Sequence, residues 1–203
     1  MTRLGAVSEA SADRKVCVEE GEILEEIGRR CREISDYRII RYGSNFYIKD
    51  ADASFLMLMR GRVTSEKVGV EFLHNSGRLI YSVDVKRALD ERDILFTATL
   101  IDAVARLVHE DHMETNEIPD TVFVELEKAW RIKRSKKYTR IIAGPIQSDN
   151  EGFYLFQGEV RTSKFLLSFR PYSKNEMLFW ISNRVDKRYV RKIELFIWSL
   201  SMI

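Results

Sequence analysis

The most regular stretch of the chain runs from Val68 to Val85. Val68, Val70 and Phe72 alternate with Gly69, Glu71 and Leu73, Asn75-Ser76-Gly77 carries turn chemistry, and Leu79, Tyr81, Val83 and Val85 take up the alternation again. Apolar residues at every second position turn one side of a strand toward a core, and a polar Gly-bearing break reverses the chain, so a β-hairpin is predicted. A Ser76-Gly77 turn sets Glu71 opposite Ser82. Helical spacing governs the flanks. Ile23, Ile27, Cys31 and Ile34, with Leu24 beside them, predict a helix over 20–35, and Leu100, Val104, Leu107 and Val108 predict another over Ile94–His112. Between these lie strand-like segments at Tyr37–Tyr42 and Asn45–Lys49 around Gly43-Ser44, and an apolar run Phe55–Met59 without clear period.

Thr121–Lys133 fits two patterns: Val122, Val124 and Leu126 alternate, while Val122, Leu126, Ala129 and Trp130 share a helical face. Four short strands are then predicted, Tyr138–Ala143, Phe153–Val160, Lys164–Arg170 and Met177–Ser182, separated by Gly, Pro, Asn and Ser-bearing loops. A last helix starts near Asp186, with Tyr189, Ile193, Phe196 and Leu200 on one side. Its tail, Leu195–Ile203, is apolar nearly all round, which predicts burial, in the chain's own core before a subunit interface. The segments after Pro145 and Pro171 echo each other loosely, two similar turns before two similar strands rather than a repeat. The pattern as a whole predicts an α+β fold: an N-terminal helix–mixed sheet–helix unit, then a C-terminal antiparallel β-meander closed by a terminal helix.

Length and composition fit this picture. At 203 residues, with 45% hydrophobic and 32% charged, the chain can bury a core without disulfides, and two cysteines, Cys17 and Cys31, exclude a disulfide scaffold. The N-terminus has no apolar signal core, and the longest apolar stretch is far too short to span a bilayer, so an intracellular protein, cytoplasmic or nuclear, is expected. The net charge of +2 hides a division. Residues 1–118 hold 17 Lys+Arg and 22 Asp+Glu, and residues 119–203 hold 16 and 9, a net of −5 against +7. All three prolines lie in the basic part. These shifts suggest a frayed segment 1–15, an acidic subdomain 16–118 and a basic subdomain 119–203.

The basic part holds two clusters. Residues 128–140 bring together Lys128, Arg131, Lys133, Arg134, Lys136, Lys137 and Arg140, with Trp130 and Tyr138 interleaved. On the last helix Arg184, Arg188, Arg191 and Lys192 line up opposite the apolar side, with Lys187 beside them. Cations neutralise phosphates and release counterions, and an aromatic face can stack on an unpaired base, although Trp130 suits a core equally well. The leading expectation is therefore a non-enzymatic binding or assembly protein whose basic half engages nucleic acid or another polyanion. The acidic half, or the apolar terminal helix, offers a route to homo-oligomers, as in a viral matrix-type or complex-subunit protein that self-associates or meets an anionic membrane surface.

One enzymatic alternative rests on the hairpin. Glu71 precedes the turn and Asp84-Val85-Lys86 follows it, so Asp84 and Lys86 share a face with the position opposite Glu71. Helix, hairpin and helix with acid-x-Lys on the second strand resembles the restriction-endonuclease-like PD-(D/E)-x-K superfamily over residues 20–112, with Glu71 in the place of the usual aspartate and no Pro-Asp pair. That resemblance implies a Mg²⁺-dependent nuclease in which Glu71 and Asp84, with Glu22, Glu25 or Glu26, bind the metal and Lys86 helps activate water. Phosphate-loop, dinucleotide-binding, nucleophile-elbow, zincin and C-x-x-C patterns are absent. His109 and His112 suit a shared metal or the C-terminal dipole of a helix, and no cofactor is expected outside the nuclease alternative.

Overall fold

The computed structural model describes residues 20–31, 38–41, 59–75, 78–109, 120–134, 138–145, 156–173, 175–182, 185 and 187–201. The alternation that marks the hairpin produces β3 (Val68–Asn75) and β4 (Arg78–Val85), paired with Glu71 opposite Ser82 as the turn length dictates. Upstream lie α1 (Glu20–Arg30), β1 (Arg38–Arg41) and β2 (Met59–Thr64), and α2 (Glu91–Val108) follows the hairpin. The start of α2 is fixed by a capping box, Asp93 N–H donating to Asp90 and Asp90 N–H donating back to the Asp93 carboxylate, each at 2.9 Å. Lys67 Nζ approaches the buried Asp93 carboxylate to 2.8 Å, so the desolvated charge is paired.

In the ambiguous segment the helical pattern prevails over the alternation of Val122, Val124 and Leu126, giving α3 (Asp120–Ala129), and the short strand β5 (Arg131–Lys133) follows it. The remaining elements are β6 (Tyr138–Pro145), β7 (Gln157–Thr162), β8 (Leu166–Ser173), β9 (Glu176–Ser182) and α4 (Lys187–Ser201). Asn45–Lys49 and most of Phe55–Met59 lie outside the described residues. The fold is α+β, and the nine strands form one sheet in the order β1-β4-β3-β2-β7-β8-β9-β6-β5. Only β1 against β4 is parallel. Of the four strands predicted in the basic half, the last three make the meander. The first, β6, lies on the far side of β9, because β7 leaves it to pair antiparallel with β2.

One side of the sheet carries the core. Val63, Val70, Phe72, Leu79, Tyr81 and Val83 from one half, and Val160, Leu167, Phe169, Phe179 and Ile181 from the other, join the apolar faces of all four helices in a single cluster. In α4, Phe196, Ile197 and Leu200 are buried there, so the apolar tail packs within its own chain as the pattern predicts. α2 packs on α4, with α1 outside α2 and α3 outside α4. Trp130 is also buried. Its indole lies flat on Gly144, where a Cβ would come within 2.2 Å of the ring, and tilts against Phe179 at 5.7 Å.

The two halves repeat one another. Each runs helix, four strands, helix, with β5 as an addition, and strand and helix layers both mirror across the β2–β7 seam. At the turn before β3, Ser65 Oγ receives the Lys67 and Val68 amides and bonds the Val68 carbonyl, and Ser65 N–H donates to the same carbonyl. At the turn before β8, 97 residues on, Thr162 makes the same four bonds to Lys164 and Phe165. The same offset relates the seam glycines. A Cβ on Gly61 would meet the Glu159 carbonyl, Val160 and Phe72, and one on Gly158 would meet the Arg62 carbonyl and Phe169. Among the described strands the symmetry breaks at the first of each half, since β6 runs antiparallel to β9 where β1 runs parallel to β4.

Candidate nucleic-acid interface

Strand alternation decides where the first basic cluster points. β5 sets Arg131 beside Ala143 and Lys133 beside Ile141, whereas Ile142 on β6 is fully buried in the core. Arg131 and Lys133 therefore stand on the side of the sheet away from the helices. Arg131 reaches Glu176 at 2.6 Å with its side chain 72% exposed. Surface pairs of this kind are worth about 0–1 kcal/mol, so an incoming phosphate can compete for the guanidinium. Lys133 and Arg134 are exposed and have no acidic partner among the described residues. Lys128, on α3, pairs with Glu125 at 3.0 Å in full exposure. Lys136 and Lys137 lie outside the described residues, as does the side chain of Tyr138.

Other predicted cations have internal duties. Arg140, one residue out of phase with Ile141, points to the helix side and pairs with the buried Glu194 of α4. Burial raises the Glu194 carboxyl above its ordinary range, against the pull of Arg140. Lys192 is buried between helices, its ammonium donating to the His109 carbonyl just past the end of α2. The buried lysine thus ties α4 to the end of α2 and does not belong to an exposed ridge. Arg188 is exposed, and Arg191 lies over the Phe123 ring at 4.8 Å and within 3.6 Å of Asp120, fastening α4 to α3. Arg131 and Lys133 thus lie on the side of the sheet away from α4 and its cations, whereas Arg140 of the same cluster turns toward α4.

The side of the sheet free of helices among the described residues, hereafter the helix-free side, shows residues that the charge runs do not mark. One row crosses eight strands: Lys133, Ile141, Trp180, Ser168, Glu159, Arg62, Glu71 and Ser82. In the second half none of Ile141, Ala143, Leu166, Ser168, Leu178 and Trp180 is fully buried, and Arg170 is exposed with its guanidinium 5.0 Å from the centre of the Trp180 ring. Period two in the sequence of β8 and β9 contains this signal, since Arg170, Leu178 and Trp180 occupy the phase opposite Phe169 and Phe179.

Glu71 and Asp84 also face this side, two positions apart along the hairpin. Glu71 is 3.4 Å from Arg62, and Lys86, just past β4, donates to the Thr64 hydroxyl and to the Ser65 carbonyl at 3.0 Å. Glu22, Glu25 and Glu26 sit on α1, whose Ile23, Leu24 and Ile27 enter the core from the helix side, so the sheet stands between them and Glu71. Among the described residues no group of three or more His, Cys, Asp and Glu could hold a metal ion. His109 is buried at the end of α2, and His112 lies outside the described residues. No described helix is long and apolar enough to cross a membrane. The chain matches no protein-family model, no curated protein and no solved structure.

Proposed function

We propose that the chain is a non-enzymatic binding protein whose basic C-terminal half engages a polyanion, with nucleic acid as the ligand its chemistry suits best. The observation that carries this reading is the β5 edge. There Lys133 and Arg134 are exposed without an acidic partner among the described residues, next to an Arg131 held only by a surface pair. A cation in that position gains from a phosphate what it does not gain inside the protein, and the counterions released add to the binding.

Fluorescence anisotropy with a labelled oligonucleotide, titrated over a range of salt, tests the reading. Each phosphate contact contributes a slope of about −0.7 to −0.9 in log affinity against log salt. Lys133→Glu with Arg134→Glu is expected to abolish binding at moderate salt and leave the unfolding midpoint unchanged. Affinity that ignores salt, or that survives this double reversal, would refute the proposal.

A further inference from the structure

We infer that the helix-free face of the second half is a stacking platform for single-stranded nucleic acid, centred on Trp180. The inference rests on the polyanion reading above and specifies its ligand and place.

Three observations carry it. The first is position: Trp180 lies at the centre of that face, flanked by Ile141 and Ser168, half-exposed, with Arg170 against its ring. An indole and a guanidinium are the two side-chain planes on which an unpaired base stacks. The second is charge. Lys133 is two strands from Trp180, about 10 Å at the usual strand spacing, and Arg131 lies in the adjacent row beside Ala143 and Leu178. A strand lying across the sheet can thus meet an aromatic plane and a cationic edge together. The third is the internal repeat, which supplies a reference. At equivalent places on the same face of the first half, Ser82 stands for Trp180, Leu73 for Arg170 and Thr64 for Arg161. The same strands form with other residues at these positions, although Leu73 and Ser82 are buried where Arg170 and Trp180 are not. A duplex is the poorer fit, because its major groove admits a helix or a two-stranded ribbon and not the flat face of a five-stranded half-sheet.

The test uses the full chain and four probes: a labelled single-stranded oligonucleotide of about 12 nucleotides, a duplex of matched charge, inorganic polyphosphate and poly-glutamate. Trp180→Leu keeps an apolar side chain and removes the π-face. It is expected to weaken single-strand binding by about tenfold or more, with Trp180→Phe restoring most of it. Duplex and polyphosphate affinities are expected to stay within about twofold, since phosphate contacts supply them. Arg170→Lys, at an exposed site, keeps the charge and removes the plane, and should show the same selective loss if the leucine variant folds poorly. Single-strand binding that survives Trp180→Leu and Arg170→Lys but not reversal of Lys133 and Arg134 would overturn the platform and leave the polyanion reading standing. No binding of any polyanion at low salt would overturn both. Poly-glutamate bound with the same dependence on Trp180 would replace nucleic acid by an acidic protein as the occupant.

Discussion

At the scale of single residues, burial decides which chemistry a side chain keeps. Cys31 follows Arg30 at the end of α1 and packs on the core, and burial pushes its thiol up to about 12, with Asp102 adding to the rise. The thiol is the form the fold prefers. Its contribution to stability is present below the ordinary thiol value and is lost as pH rises from about 9 toward about 12. In a Cys17→Ser variant, iodoacetamide at pH 8 is therefore expected to modify Cys31 slowly in the native protein and rapidly in urea. Equal rates in the two states would show that the thiol is not held in this environment. The helical stripe Ile23, Ile27, Cys31 makes that burial legible in the sequence. The fates of Arg140 and Lys192 are not, because their partners, Glu194 and the His109 carbonyl, are distant in sequence and a run of cations looks alike whichever member turns inward.

At the scale of elements, the seam between the halves depends on two glycines. A Cβ on Gly158 would come within 2.5 Å of the Arg62 carbonyl and 2.8 Å of the Phe169 ring, so backbone has to move, while one on Gly61 would come to 3.2 Å from the Glu159 carbonyl. Gly158→Ala is expected to cost about 1–3 kcal/mol in urea unfolding, the range for forced overpacking, and Gly61→Ala clearly less. Equal and negligible losses would mean that the strands approach less closely than described. The same glycines explain what the hydrophobic pattern hid. β3 and β4 were legible because large residues occupy every inward position. β2 is not, since Gly61 takes the inward position between Met59 and Val63 and interrupts the period in Met59–Thr64. The internal repeat escaped detection for a related reason. Val63 and Val160, Lys67 and Lys164, and Phe72 and Phe169 coincide at an offset of 97, yet the hairpin of the second half is one residue longer and the helices slip again, so no fixed period aligns the whole. The strands of the helix-free face are legible in the sequence, but a lone Trp180 lies in no run of charge that would mark it.

At the scale of the molecule, the acidic and basic halves share one sheet and one core. All three tryptophans lie in the second half, at 130, 180 and 198, and Cys31 lies in the first. Tryptophan emission and Cys31 accessibility therefore report on different halves, and in the Cys17→Ser variant their urea midpoints are expected to coincide. Midpoints separated beyond error would show that the halves open one at a time. The β2–β7 seam consists of six residue pairs, with α2 against α4 above it. Two separate chains meeting there would associate to an extent set by their concentration. A covalent connection holds the partner at an effective concentration on the order of millimolar, whatever the abundance of the protein. The pairing is thereby independent of dilution, and its two members need not stay identical. One can keep its outer face while the other changes its own, which a symmetric dimer of a single sequence cannot do.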